Sequence, residues 1–212
     1  MTKPLLIIGA GGHGAVILDA ALAAGFTVLG LTDADPALHG TRVLDRPVLG
    51  GDDVVLSHNP DAVQLTVGIG STGNTDLHRE IHDRFAARNY RFATVIHPTA
   101  TVAGSAAIAD GTVLMAGAIV QPRCRIGKNV ILNTGAQIDH DCDIGPHCHI
   151  APGAVLSGNV TVGAGSHVGT GAVVIQGITI GREAICAAGA VVIRNVPDTI
   201  HVAGNPASEI AH

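Results

Sequence analysis

From Val102 to Val192 every sixth residue is a branched aliphatic or, once, a cysteine. The series runs Val102, Ile108, Leu114, Val120 and on through Ile138, Ile144 and Ile150 to Val174, Ile180, Cys186 and Val192, without a slip in register. Two residues before each step the side chain is usually small, as at Ala106, Ala118, Cys142, Ala154, Ala172 and Ala184. Positions two apart on a strand share a face. Each unit of six therefore offers one large and one small inward side chain and then turns. A helix repeats every 3.6 residues and a plain strand every 2, so neither explains sixes. Sixes fit a solenoid whose short strands wrap a triangular prism, three units and eighteen residues to a coil, about five coils in all. Residues eighteen apart then stack roughly 4.8 Å above one another, as in any sheet. Glycines directly after the aliphatic, such as Gly127, Gly145, Gly163, Gly169 and Gly181, are expected at tight corners. Only 2% of the residues are aromatic, so Val, Ile, Leu and Ala must fill the prism.

The 96 residues before the hexads read differently. Leu5–Ile8 is a short apolar run, followed by Gly9-Ala10-Gly11-Gly12-His13-Gly14 and an apolar-periodic stretch to about Ala24, with Gly25 as its stop. Phe26–Leu31 is a second strand with Asp33 at its carboxyl end. This is β-α-β with G-x-G-x-x-G spacing and an acid about twenty residues on, the pattern of a dinucleotide site. Only one further strand (62–67), the turn Gly68-Ile69-Gly70, a helix (74–89) and a last strand (91–96) remain before the hexads. That is about half of a dinucleotide fold, and it disfavours NAD. The general physics stays: N–H groups at a helix start hold a phosphate, which suits a nucleotide-linked ligand. Residues 34–53 read as a polar loop, either folded over a ligand or a plain connector. The expected domains are 1–96, an α/β Rossmann-like unit, and 97–212, an all-β parallel helix with a looped tail.

One coil is unusually polar: Asp139-His140-Asp141-Cys142-Asp143, then His147-Cys148-His149. His140 falls at a corner between two carboxylates, which favour its protonated form and orient the ring, as a general base requires. Gly158 lies eighteen residues on, one coil above, where an open N–H could face an oxyanion. His149 is half a coil away, so joint action of the two histidines needs a second subunit. His167 stacks on His149. Cys142 and Cys148 point inward while His140 and His149 point outward, and no C-x-x-C spacing occurs, so no metal is expected. All four cysteines take inward positions and read as small buried hydrophobes in a reducing cytoplasm. A net charge of −5 without a basic run argues against nucleic acid as partner, and no run spans a membrane.

Together, Gly-Ala-Gly-Gly-His-Gly at 9–14, Ile96-His97-Pro98-Thr99-Ala100, Ile138-Asp139-His140-Asp141-Cys142-Asp143-Ile144-Gly145 and Gly204-Asn205-Pro206-Ala207 resemble the sialic-acid O-acetyltransferase-like family of hexapeptide-repeat acyltransferases, which includes the nucleotide-4-aminosugar N-acetyltransferases. The resemblance implies a left-handed parallel β-helix, a homotrimer with active sites between subunits, and acetyl-CoA as co-substrate. It implies transfer of acetyl to the C4 amine of a nucleotide-linked amino sugar, GDP-perosamine being favoured over a UDP-linked bacillosamine precursor. By position, His140 resembles the catalytic base and Asp141 its acid partner, where the bacillosamine enzymes have Glu. His149 and Gly158 resemble contacts to the thioester end of the cofactor, and Thr170 and Ala188 contacts to pantetheine, although glycine is usual at 188. Gly11, Gly12, His13, Asp33 and Gly70 match the sugar-nucleotide pocket. Ser208 stands where Lys or Arg commonly approaches the cofactor phosphates. Two alternatives stay open: O-acetylation of a sialic-acid-type sugar, which the same base would serve, and a non-catalytic nucleotide-binding solenoid module.

Overall fold

The computed structural model describes residues 3–210; the outermost two residues at each end of the expected domain spans lie outside that range. The N-terminal unit is a four-stranded parallel sheet. Its strands are β1 (Leu5–Ile8), β2 (Val28–Thr32), then a small hairpin β3 (Arg42–Val43) and β4 (Arg46–Pro47) outside the sheet, β5 (Gln64–Val67) and β6 (Arg91–Phe92). The sheet order is β2-β1-β5-β6. Helix α1 (Gly12–Ala23) links β1 to β2, α2 (Asp52–Leu56) precedes β5, and α3 (Asp76–Ala86) follows it. β1, buried on both faces, is a continuous apolar run, as a central parallel strand should be.

Two expectations for this unit change. Residues 34–53 are no loose lid: Leu49 donates to the carbonyl of Leu31 and Val48 to that of Thr41, so the segment lies along the edge of β2. A Cβ at Gly30 would meet the Pro47 carbonyl at 2.6 Å, which explains the glycine inside a strand. The stretch 91–96 is two strands, not one. Arg91–Phe92 pairs with β5, while Val95–Ile96 pairs with Val113–Leu114 and is already the first strand of the solenoid.

From Val95 the chain is a left-handed parallel β-helix of two-residue strands. Its three faces carry eight, six and five strands, about six coils rather than five. The first face runs from Val95–Ile96 through Ile131–Leu132, His149–Ile150 and His167–Val168 to Ile185–Cys186. The second runs from Thr101–Val102 to Val191–Val192, the third from Ala107–Ile108 to Thr179–Ile180. Register is eighteen from Val95 to Val192, for example Gln137↔Val155 and Ile138↔Leu156, and shortens to sixteen where Val196 and His201–Ala203 join the third and first faces. The hexad aliphatics and the small residues two before them form one continuous buried column. All four aromatics, Phe26, Phe85, Tyr90 and Phe92, belong to the N-terminal unit. The tail expected as loop extends the first face: His201–Ala203 pairs with Ile185–Cys186 and folds back against Ser208–Glu209.

The corner glycines have another reason than the one expected. Positive φ falls three residues after the aliphatic, at Gly135, Gly153 and Gly171, but also at Asp141 (φ 61°) and His147 (φ 61°). The glycines directly after the aliphatic need space instead. A Cβ at Gly145 would meet the nitrogen of Ala164 in the next coil at 2.7 Å, and one at Gly163 that of Arg182 at 2.5 Å. Buried thiols do more than fill space. Cys124, Cys142 and Cys148 donate to the carbonyls of Asp139, Ser157 and Gly163, each fifteen residues on, as Thr112 and Ser166 do with Gly127 and Gly181.

The two units share a seam. Side chains just before the aliphatics point outward, and on the first face that row reads Val95, Val113, Ile131, His149, His167, Ile185. Val95, Val113 and Ile131 are buried with Ile17, Leu18 and Ala21 of α1. Thr75 donates to the carbonyl of Gly165 and Arg79 pairs with Glu183, both across the seam. Among the described residues no helix is long and apolar enough to cross a membrane.

Candidate active site

Two constellations emerge, on opposite edges of the second face. The first is the corner between the second and third faces. His140 Nδ1 lies 2.8 Å from Asp141 Oδ2. An ionised carboxylate only accepts, so Nδ1 carries the proton and Nε2 offers its lone pair outward. The positive φ of Asp141 turns its side chain back beside the ring, and Asp139 Oδ1 accepts the His140 backbone N–H at 2.8 Å. The imidazole packs against Gly158: a Cβ there would stand 2.5 Å from Cε1 and 2.7 Å from Nε2. The Gly158 N–H occupies the corner position that the ladder does not use. The same position holds proline at 122, 146 and 152, where no donor is needed. Arg123, one coil below, was not anticipated. It pairs with both oxygens of Asp141 and, ahead of His140, holds that carboxyl well below the usual carboxylate range. Eighteen-residue spacing between Arg123 and Asp141 was the available signal.

The second constellation is a cavity of 580 Å³ at the seam. Of the residues expected to touch the cofactor, His149, Thr170 and Ala188 line it; of those expected to touch the sugar nucleotide, His13 and Gly70 line it too. Gly158 does not: within one chain it lies at the corner with His140. Where the outward row of the first face leaves α1, its apolar residues give way to His149 and His167, stacked edge to face at 4.9 Å. Both are buried beneath the turn after β5, where Ser71 Oγ sits 2.9 Å from one Nδ1 and 3.0 Å from the other. Ser71 and Asn133 were missed, because only tertiary packing brings them to the histidines. Burial, then the neighbouring His167, pushes His149 down to about 3; burial, then His78, pushes His13 down to about 4. These rings stay uncharged at neutral pH. His13 Nε2 is buried without a hydrogen-bond partner among the described residues.

The glycine loop divides into two kinds. Gly9 and Gly14 are required by contact: a Cβ at Gly14 would lie 2.1 Å from the Gly9 carbonyl oxygen. Gly11 and Gly12 have open space where a Cβ would be, at the start of α1. Asp33 Oδ2 accepts the Ala10 N–H at 2.7 Å and Oδ1 that of Asp35 at 2.9 Å. Asp33 lines a second groove of 320 Å³ with Gly9, Asp52 and Arg84. An anion at the α1 start and a polar group beside Asp33 are what this arrangement can hold.

One group among the described residues could hold a metal ion, His82, Asp83 and His147, whose ligand atoms lie within 4.8 Å of one another. Its groups are already engaged: His82 Nδ1 with Asp83 at 2.9 Å, His147 Nδ1 with Asn129 Nδ2 at 3.0 Å. Burial first, and Lys128 to a lesser degree, lower the proton affinity of both rings. The cluster belongs to the seam, and none of its three residues lines the cavity.

Residues 4–85 match the PglD N-terminal domain family, and residues 123–158 the bacterial transferase hexapeptide (six repeats) family. No curated protein matches the chain. Among solved structures the chain is similar to a histidine variant of GDP-perosamine N-acetyltransferase from Caulobacter crescentus, in complex with CoA and GDP-perosamine. That match has 36% identity and a TM-score of 0.91, and covers 100% of this chain and 99% of that one. It is similar to the acetyltransferase domain of PglB from Neisseria gonorrhoeae in complex with acetyl coenzyme A, at 40% identity and a TM-score of 0.91, covering 99% of this chain and 100% of that one. WeeI from Acinetobacter baumannii follows at 26% identity and 0.86, covering 99% and 100%.

Proposed function

This chain belongs to the hexapeptide-repeat nucleotide-aminosugar N-acetyltransferases with a PglD-type N-terminal domain, and on that premise we propose that it acetylates the C4 amine of a nucleotide-linked 4-amino-4,6-dideoxyhexose, GDP-perosamine first. It is an acetyl-CoA-dependent enzyme. The observation that carries the chemistry is His140, with Nδ1 held by Asp141 and its ring on Gly158. The Caulobacter relative, solved with CoA and GDP-perosamine, favours the sugar.

The sugar amine is inert while protonated. His140 Nε2 removes a proton from the ammonium or from the attacking nitrogen. The nitrogen lone pair adds to the thioester carbonyl, the Gly158 N–H faces the developing oxyanion, the C–S bond breaks, and CoA leaves as a thiolate that takes up a proton. No acyl-enzyme takes part: all four thiols are buried, and burial raises their proton affinity, Cys148 and Cys186 to about 12. The cytoplasmic location expected from the sequence is part of the same reading. Thr170 and Ala188, one above the other, hold pantetheine. Gly11, Gly12, His13, Asp33 and Gly70 hold the sugar nucleotide, His13 Nε2 finding in it the partner it lacks.

A homotrimer completes the site. The outward row of the second face carries four apolar residues, Ile119, Val155, Val173 and Val191, beside Thr101 and Gln137, and is left half-covered or exposed, whereas that of the third face is polar apart from Ala107. One edge of that apolar face carries His140 and the other carries Thr170 and Ala188. Packing the second faces around a threefold axis brings the His140 corner of one chain to the cavity of the next. Incubation with acetyl-CoA and, separately, GDP-perosamine and a UDP-linked 4-amino sugar, read by mass spectrometry, tests the reading. A gain of one acetyl group on the GDP sugar is expected. Acetylation of neither, or only of hydroxyl sugars, overturns it, and a monomer by sedimentation overturns the shared site.

A further inference from the structure

Ser71 Oγ stands within hydrogen-bond distance of two imidazole nitrogens, His149 Nδ1 and His167 Nδ1. A hydroxyl has one proton and donates to only one of them. Asn133 decides which. Its Oδ1 accepts the backbone N–H of Thr134 at 2.8 Å, and a backbone N–H can only donate. The amide is thereby fixed with Nδ2 toward His149, 3.1 Å from Nε2. Nδ2 also only donates, so Nε2 of His149 is the acceptor and the proton of this neutral ring sits on Nδ1. That N–H goes to Ser71 Oγ. Ser71 Oγ could accept from both rings, but among the described residues its proton has no acceptor other than Nδ1 of His167, so it goes there and the proton of His167 sits on Nε2.

We propose that Asn133, His149, Ser71 and His167 form one directional hydrogen-bond chain, ending in an Nε2–H donor of His167 that holds a carbonyl oxygen of the acyl-pantetheine arm of acetyl-CoA, with Ser71 as the positioning residue. The ligand rests on the acetyl-CoA reading above; the chain itself does not. Three observations carry it. Among the described residues Nε2 of His167 has no acceptor in the protein. His167 lines the same cavity as Thr170 and Ala188. The pantetheine arm offers carbonyl acceptors, whereas an ammonium, itself a donor, would find nothing at an N–H. The chain also takes the lone pair of both rings, His149 through Asn133 and His167 through Ser71. Neither ring can then serve as a base, which leaves that task to His140.

The full-length protein labelled with ¹⁵N-histidine tests the chain, since long-range ¹H–¹⁵N correlations separate the two neutral tautomers. Signals are assigned with His149→Gln and His167→Gln. In the ligand-free protein His149 is expected as the Nδ1–H form and His167 as the Nε2–H form, and Ser71→Ala should return His167 to a mixture. His167 found as Nδ1–H, or a spectrum untouched by Ser71→Ala, overturns the chain. Calorimetric titration with acetyl-CoA tests the ligand. Ser71→Ala should weaken binding roughly tenfold, the scale of one hydrogen bond, Ser71→Thr should restore most of it, and GDP-perosamine affinity should not move. Unchanged acetyl-CoA affinity in Ser71→Ala overturns the ligand assignment even where the tautomers are as expected. A wild-type protein that binds no acetyl-CoA overturns the functional reading instead, and the spectrum still decides the chain.

Discussion

Arg123 lies one coil below Asp141 and grips both of its carboxylate oxygens, Nε to Oδ1 at 2.6 Å and a terminal nitrogen to Oδ2 at 2.7 Å. Oδ2 is also the atom that accepts the Nδ1–H of His140, at 2.8 Å. One carboxylate is thus divided between a permanent cation and the imidazole. Asp141 stays ionised at any working pH, because Arg123 and then His140 hold its carboxyl well below the usual carboxylate range.

Removing Arg123 should therefore loosen the base. With Arg123→Gln, Asp141 keeps its bond to Nδ1 but loses the cation that fixes both of its oxygens, so the imidazole is held less firmly and kcat should fall several-fold while both substrates bind as before. Asp141→Asn, which removes the acceptor of the Nδ1–H itself, should cost more than Arg123→Gln. Steady-state kinetics of both variants is the measurement, and an unchanged kcat in Arg123→Gln would assign the ion pair to corner structure alone.

Gly158 offers a second probe of the same corner. Its φ is ordinary, so alanine is allowed by the backbone, and only the imidazole objects, 2.5 Å from the new methyl. Gly158→Ala should leave melting unchanged and lower kcat about a hundredfold, the usual cost of misplacing a catalytic group by an ångström. A variant with full kcat would mean that the ring does not work from this position.

How much of this was legible beforehand follows from the range of each cause. The prism, its register and the stacking of Gly158 on His140 are set by spacing along one chain, and spacing is visible in sequence. The break after Phe92 was not, because Val95 and Phe92 look alike and differ only in which sheet receives them. The corner glycines were found for a mistaken reason: Gly145 and Gly163 avoid a neighbouring coil, while the positive φ falls two residues later, where Asp141 hides it. Ser71 and Asn133 carry no local signal, since both act through contacts made only when the α/β unit docks on the first face.

The glycine loop permits a contrast within four residues. Gly12→Val points into open space and should fold, raising the KM for the sugar nucleotide while acetyl-CoA affinity stays near normal. Gly14→Ala meets the Gly9 carbonyl at 2.1 Å and should instead lower the melting temperature. Equal loss of both ligands in a folded Gly12→Val protein would contradict the division of labour between the two units.

The buried histidines of the seam make stability depend on pH. His147 is pushed down to about 4, chiefly by burial, from an ordinary 6.5. As pH falls through 6.5 the unfolded chain takes a proton there and the folded chain does not until about 4. The unfolded state binds more protons in that window, so stability is lost from about pH 6.5 down to about 4 and is flat above. For His147 this is worth on the order of 3 kcal/mol. Melting temperature against pH for the wild type and His147→Gln checks it: the variant should show a shallower fall. Parallel curves would place the acid sensitivity elsewhere.

The decisive test remains His140→Ala. General-base assistance is worth about 10²–10⁴ in rate, and both substrates should still bind, because neither cavity nor glycine loop includes this ring. An amine is a good nucleophile once deprotonated, so the loss belongs at the lower end of that range. Raising the pH lets solvent remove the proton instead, and part of the mutant's rate should return. Asp141→Asn should cost less, since it adjusts the base without removing it. Measured at two pH values, kcat of the wild type and both variants separates these effects. Should His140→Ala turn over at the wild-type rate near neutrality, positioning and the Gly158 N–H alone would account for catalysis, and the base would have to be sought elsewhere than His149 and His167, whose lone pairs are already bound.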